Sequence, residues 1–253
     1  MGEELLRVVN VKKRFGRVEA LKGVSFNMNK GEVVGLVGDN GAGKSTLAKI
    51  IIGYLRPDEG EIYFEGKKVR WSSPLEARSA GIEMVYQDLA LVDVMSVARN
   101  FFLGREPVKG KGLQLLDFKR MNEECMRTLS DIGIKIRSPH VMVSSLSGGE
   151  RQAVAVARAV YFKAKLVILD EPTANLSVRE ALRVLELVKE LKARGISSIF
   201  ITHNIYHVYE VADKFVILDK GSKIAEYYKE GVTPQEIIET IKYGKPVAEV
   251  IKG

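Results

Sequence analysis

The chain has 253 residues, 46% of them hydrophobic and 28% charged, with 39 lysines and arginines against 32 acidic side chains and a net charge of +7. That balance excludes a disordered chain and leaves length for a well-buried core of one or two lobes. The single Cys125 excludes an internal disulfide and a cysteine-based metal cluster, and no apolar run nears the ~20 residues that span a bilayer.

Residues 5–11 alternate apolar and polar side chains, as a half-buried strand does, and residues 20–28 read as its antiparallel companion. Residues 32–37 (EVVGLV) form a continuous apolar run ended by Gly38, the pattern of a strand covered on both faces of a parallel sheet. A helix over 43–54 follows, with Leu47, Ile50, Ile51 and Tyr54 on one side. Residues 61–64 and 67–70 read as a hairpin around Glu65-Gly66. From residue 92 to about 159 helical patterns dominate, at 96–103 and 118–133, separated by a glycine and lysine loop at 109–112. This stretch is expected to be a helical lobe inserted into the α/β core. The core resumes with a buried strand at 166–169, a helix at 178–194 and a strand at 198–202. A helix at 205–211, a strand at 214–219 and a tail follow. Strands alternating with helices predict a layered, mainly parallel α/β fold.

The N-terminal stretch 1–11 is short, charged and mixed, unlike a signal peptide, which predicts a cytosolic protein. The lysines are scattered, without a dense basic arm or an aromatic stacking platform, so nucleic acid is not the expected partner. A mildly positive surface also suits phosphate ligands and the cytoplasmic face of a membrane.

Residues 38–46 read GDNGAGKST: Gly38, Asp39, Asn40, Gly41, Ala42, Gly43, Lys44, Ser45 and Thr46. The pattern fits a phosphate loop. Glycines let the backbone turn with positive φ and approach an oxygen without a Cβ clash, and the following helix turns its positive end inward. Lys44 is placed to reach phosphates and Ser45 to hold Mg²⁺. The run LVILDEPT, beginning at residue 166, ends four apolar residues in two adjacent acids. Asp170 sits where a strand-end carboxylate can bind Mg²⁺, and Glu171, pointing elsewhere, can polarise an attacking water. A second glycine turn, SLSGGE, opens another helix. By itself Ser147 there reads first as an N-cap serine.

GDNGAGKST, Gln87 in MVYQD, LSGGE at 146–150, LVILDEP at 166–172 and His203 in ITH occur in that order. In this the sequence resembles the ATP-binding subunits of ABC transporters. The resemblance implies a P-loop (RecA-like) nucleotide-binding core with an antiparallel β part over 1–91 and 160–253, and a helical subdomain with the signature turn over 92–159. It implies ATP and Mg²⁺ as ligands. It further implies two subunits packed head to tail, so that Ser147, Gly148 and Gly149 of one grip the γ-phosphate of ATP on the other. Phe15 matches the aromatic that stacks on adenine, with Val18 beside it, although Phe15 also reads as a strand-end core residue. Gln87 matches the residue that touches Mg²⁺ and water and reports to the membrane partner, and His203 the one that binds the γ-phosphate and steadies Glu171. His140 and His207 match nothing and read as surface or boundary residues. Two departures stand out: Glu150 replaces the frequent Gln, an expected tolerance, and Ser177 replaces the frequent Asp, an expected weakening of communication between sites.

The stretches QDLALVDVMSVARNFFLGREP and EPTANLSVRE resemble the subgroup that powers uptake of ribose, xylose or fructose. Many of its members fuse two ATPase halves; this chain reads as one half with every motif, hence a homodimer. The implied partners are two transmembrane permease subunits and a sugar-binding protein, with the chain peripheral on the cytoplasmic face of the membrane. The alternative is a soluble ABC ATPase of iron–sulfur assembly or DNA-repair type.

Overall fold

Continuous apolar runs and alternating ones part into two sheets in the computed structural model, which describes residues 2–110 and 114–246. In chain order the elements begin β1 (Glu4–Phe15), β2 (Val18–Asn29), β3 (Val33–Val37), α1 (Lys44–Ile51), β4 (Glu59–Phe64), β5 (Lys67–Val69), α2 (Pro74–Ala80) and β6 (Ile82–Val85). Then come α3 (Val97–Phe102), β7 (Val108–Lys109), β8 (Leu115–Leu116), α4 (Phe118–Asp131), α5 (Gly148–Tyr161) and β9 (Leu166–Asp170). The chain continues with α6 (Val178–Ala193), β10 (Ser197–Thr202), α7 (Ile205–Val211), β11 (Lys214–Asp219), β12 (Ser222–Tyr228) and α8 (Pro234–Tyr243).

The larger sheet runs β12-β11-β3-β10-β9-β6 and is parallel except for β12, which turns back beside β11. The smaller, β2-β1-β4-β5, is antiparallel throughout. Strands β3, β9 and β10 are buried at every residue, because helices or the second sheet cover both faces. Successive side chains leave opposite faces of a strand. Val33, Val37 and Phe200 therefore enter a core shared with α3 to α7, while Val34, Leu36, Ile199 and Ile201 enter one shared with α1 and the antiparallel sheet.

The register decides where chemistry collects. Thr202 pairs with Val37 and Ile201 with Asp170, so β3, β9 and β10 end level. The loop after β3, the acids after β9 and His203 after β10 emerge side by side at the carboxyl edge of the sheet, the edge where open parallel sheets bind ligands.

Several elements differ from expectation. Strands β1 and β2 reach Phe15 and Val18, which pair across the turn; their lysine- and arginine-rich outer halves lack an apolar alternation to read. Helix α1 starts at Lys44 and stops at Ile51, since Gly43 before it and Gly53 after it hold left-handed φ values of 102° and 73°. The short strand β6 and helix α2 add to the elements expected from the sequence. The tail folds into β12 and α8, which packs on α7 and β11. The expected loop at 109–112 begins in a small hairpin, Val108 pairing with Leu116; Lys111 and Gly112 lie outside the described residues.

Helices α3 and α5 are pinned by an aromatic cluster. Phe101, Phe102, Tyr161 and Phe162 meet edge to face, with Phe102 and Tyr161 centroids 5.0 Å apart. The Tyr161 hydroxyl donates to Glu124 on α4 and so ties in the third helix. Phe102→Ala is expected to lower the unfolding free energy by about 3–5 kcal/mol in urea titrations. A loss no larger than the ~0.5 kcal/mol of a surface change would contradict this packing.

Candidate functional site

Gly43 closes the turn from β3 into α1. Its φ of 102° suits glycine, and a Cβ there would meet the Ala20 carbonyl at 2.7 Å and Leu21 at 2.8 Å. The loop is thus seated directly on β2. The Gly221 N–H donates to the Ala42 carbonyl at 3.1 Å and the Lys22 N–H to the Gly221 carbonyl at 2.8 Å, joining the turn after β11 to the same seat. The Lys44 ammonium is buried and donates to the carbonyls of Gly38 at 2.7 Å and Asp39 at 2.9 Å. Burial pushes its pKa down, while Glu171, Asp170 and Asp39 oppose the shift.

Ser45, at the start of α1, donates its hydroxyl to Asp170 Oδ1 at 3.3 Å. Asp170 is buried, and burial raises its carboxyl pKa; neighbouring Glu171 adds to the rise, and the Ser45 hydrogen bond and Lys44 oppose it. Among the described residues no cluster of three or more His, Cys, Asp and Glu side chains could hold a metal. A hydroxyl and a carboxylate alone fit Mg²⁺, which keeps most of its shell as waters and phosphate oxygens.

Glu171 leaves the strand in a left-handed conformation, φ 48°. Such a backbone costs a non-glycine residue about 1–3 kcal/mol and persists where surrounding contacts over-determine it. Here its N–H donates to the Ile201 carbonyl at 2.8 Å. Thr202 donates its hydroxyl to Glu171 Oε2 at 3.1 Å, and His203 Nδ1 lies 2.9 Å from Oε1. The carboxylate is thereby turned out of the sheet and into a cleft of about 580 Å³, whose walls include Val18, the loop from Asn40 to Thr46 and Gln87.

Phe15 and Val18 sit at the tip of the β1-β2 hairpin, 45% and 65% exposed, so Phe15 is not a core residue. Glu19, Lys22 and Lys220 also line the cleft. They belong to no motif, and the lysine beside the glycine of the turn at 220–221 is the only trace the sequence offers. His207, read as a surface or boundary residue, bonds through Nδ1 to Thr173 Oγ1 at 3.0 Å and so holds the segment after Glu171.

The signature turn lies elsewhere. Ser147 and Gly149 line a separate cavity of about 690 Å³ that shares no wall residue with the phosphate-loop cleft. Ser147 caps α5: its hydroxyl accepts the Glu150 N–H at 3.3 Å and the Glu150 carboxylate accepts the Ser147 N–H at 2.8 Å. Glu150 therefore has a cap role a carboxylate fills well at the positive end of a helix. Ser177 caps α6 in the same way with Glu180. A Cβ on Gly148 would come 2.6 Å from the Leu176 side-chain tip, so a larger residue there would require Leu176 to shift.

One chain therefore brings Lys44, Ser45, Asp170, Glu171 and His203 together, with Gln87 and Val18 at the cleft wall. It does not bring Ser147, Gly148 and Gly149 to them. The assembly can hold a metal-bound polyphosphate and offers a held carboxylate to take a proton from water.

The chain is similar to known proteins in sequence and in fold. The family described as ABC transporter matches residues 21–174. A xylose/arabinose import ATP-binding protein of Sulfolobus acidocaldarius is 53% identical over 94% of both chains. A fructose import ATP-binding protein of Rhizobium meliloti is 47% identical over 88% of this chain and 87% of its own. A putative ribose/galactose/methyl galactoside import ATP-binding protein of Burkholderia cenocepacia is 40% identical over 88% of this chain but 43% of its own length. Among solved structures, an ATP-binding cassette of an ABC transporter in its ADP conformation has a TM-score of 0.82 at 31% identity, over 99% of each chain. A dimeric cassette in a post-hydrolysis state with ADP and Pi has a TM-score of 0.75 at 26% identity, over 90% of this chain and 100% of the other.

The raised Asp170 pKa has a thermodynamic sign. With the folded value above the usual 3.8, the penalty is absent below that pH and grows as pH rises through the folded value. Asp170→Asn is therefore expected to raise the thermal midpoint of the ligand-free protein at pH 7, by about 2–4 °C per kcal/mol relieved, and to leave it unchanged at pH 3. A lower midpoint at pH 7 would contradict the assignment.

Proposed function

The chain belongs to the ABC transporter family, and from that premise we propose that it is the ATP-hydrolysing subunit of an importer for a simple sugar. Relatives that it matches along nearly their whole length carry the names of xylose/arabinose and fructose import ATP-binding proteins. The alternative, a soluble ATPase of iron–sulfur assembly or DNA repair, is not favoured beside them. The observation that carries the mechanism is the separation of two glycine turns onto two cavities. Two copies arranged head to tail would set the signature turn of each over the phosphate loop of the other, with residues 92–159 as the helical subdomain that carries it.

In each site Lys44 exchanges the carbonyls of Gly38 and Asp39 for phosphate oxygens. Phe15 and Val18 offer the adenine an apolar seat, and the loop from Gly38 to Thr46 surrounds the phosphates. Ser45, Asp170 and Gln87 would hold Mg²⁺, which supplies charge neutralisation on the phosphates. Glu171 takes a proton from water as its oxygen bonds to the γ-phosphorus and the bond to the ADP oxygen breaks. Thr202 and His203 hold that carboxylate in place, and His203 also reaches the γ-phosphate. Ser147 and Gly149 of the second copy bind the same phosphate from the opposite side.

No helix among the described residues is long and apolar enough to cross a membrane. Transport then requires membrane subunits, two in number, with a sugar-binding protein delivering substrate, and the chain sits peripherally on the cytoplasmic face. Purification from native cells in mild detergent is expected to recover two copies with polytopic membrane proteins; a free soluble species, or one carrying nucleic acid, would overturn the import reading.

Glu171→Gln is expected to keep ATP affinity, lose about 10²–10⁴ in turnover and accumulate as an ATP-bound dimer on size exclusion. Hydrolysis at the wild-type rate would remove Glu171 from the general-base role.

A further inference from the structure

Glu180 on the first turn of α6 holds two segments at once. Its Oε2 accepts the Ser177 hydroxyl at 2.7 Å and the Ser177 N–H at 3.1 Å. Its Oε1 crosses to the neighbouring helix and accepts the Gly149 N–H at 3.2 Å. These donors, with the Ser147 hydroxyl as a further one, hold the carboxyl below the usual carboxylate range, so it is ionised at neutral pH. The Gly149 N–H is one of the first-turn donors of α5 that no helix carbonyl can satisfy. In the single chain a carboxylate already fills it.

That carboxylate competes with the ligand assigned to the turn. A γ-phosphate from a second copy needs the same N–H and the Ser147 hydroxyl, and two anions on one donor repel. We propose that Glu180 is a resident anion of the signature turn. It keeps Ser147 and Gly149 ordered for phosphate while no nucleotide faces them, and it is displaced when the opposing γ-phosphate arrives. This rests on the opposed-copy reading above and gives it a regulatory residue. Displacing Glu180 also breaks its bonds to Ser177, the cap at the end of the segment that starts at Glu171. Arrival of phosphate on one copy's signature turn is thereby felt in that copy's own catalytic loop. Ser177 then joins the communication that its replacement of Asp was expected to weaken.

Glu180→Gln keeps the side-chain length and an accepting oxygen but removes the charge. In the Glu171→Gln background, graded Mg-ATP and sedimentation velocity would read the ATP concentration at half-dimerisation. It is expected to fall about tenfold, within the usual range of coupling between sites, with ATP affinity of the monomer unchanged. With Glu171 intact, KM for ATP and kcat are both expected to fall, because the returning carboxylate no longer helps reopen the dimer. A side chain that merely braces the turn would give the opposite result, and an unchanged or higher half-dimerisation concentration overturns the proposal. If Glu180→Gln loses ATP binding through misfolding, Glu180→Asp, which shortens the reach to Gly149, carries the same test with the same direction. No ATP-driven dimer with Glu180 either intact or changed overturns the opposed-copy reading, and this proposal with it.

Discussion

Three parallel strands that stop level with one another are the constraint on which the rest depends. Val37, Asp170 and Thr202 end β3, β9 and β10 in adjacent register. A slip of one residue would send each strand's apolar set to the other face. It would also part Ser45 from Asp170, and Glu171 from Thr202 and His203. Burial on both faces makes that slip prohibitive, so the two cores hold the site's geometry from beneath, and Ala42 of the phosphate loop belongs to both core and cleft wall.

The site itself is a net cost to the fold. Lys44 is taken out of water with two carbonyls as partners, Asp170 is buried with its carboxyl pKa pushed up, and Glu171 is held at a positive φ. Each is a strain a purely structural protein would discard. On the proposed reading each also prepares a contact: a desolvated ammonium for phosphate, a carboxylate for a metal, and a second carboxylate turned towards the cleft. The stability comes from elsewhere, from alternating core residues and from the aromatic contacts that pin α3 to α5.

What was legible in the sequence follows the same division. Runs such as LVILD and EVVGLV read directly as buried strands, and GDNGAGKST, LSGGE and DEP read as site elements because their residue types have few other uses in that spacing. The four residues of β6 gave too short a run, and α2 follows a serine-rich loop without a strong apolar face. The positive φ of Glu171, the hydrogen bond from His207 to Thr173, the lysines at 22 and 220 and the bridge from Glu180 to Gly149 are tertiary. They join residues far apart in the chain by contacts that no local pattern encodes. The plain reading of Ser147 as a helix cap and the ligand reading are both compatible with its geometry, since a cap at a helix start is also what orders donors for an anion.

The central claim is that one nucleotide is gripped by two chains. Mixing two separately inactive variants, Lys44→Ala and Ser147→Arg, and measuring ATP hydrolysis tests it most directly. If the site is shared, a mixed pair contains one intact phosphate loop facing one intact signature turn, and hydrolysis returns in the mixture. If each chain closed its own turn over its own nucleotide, every chain would carry a broken site, and the mixture would stay as inactive as its parts.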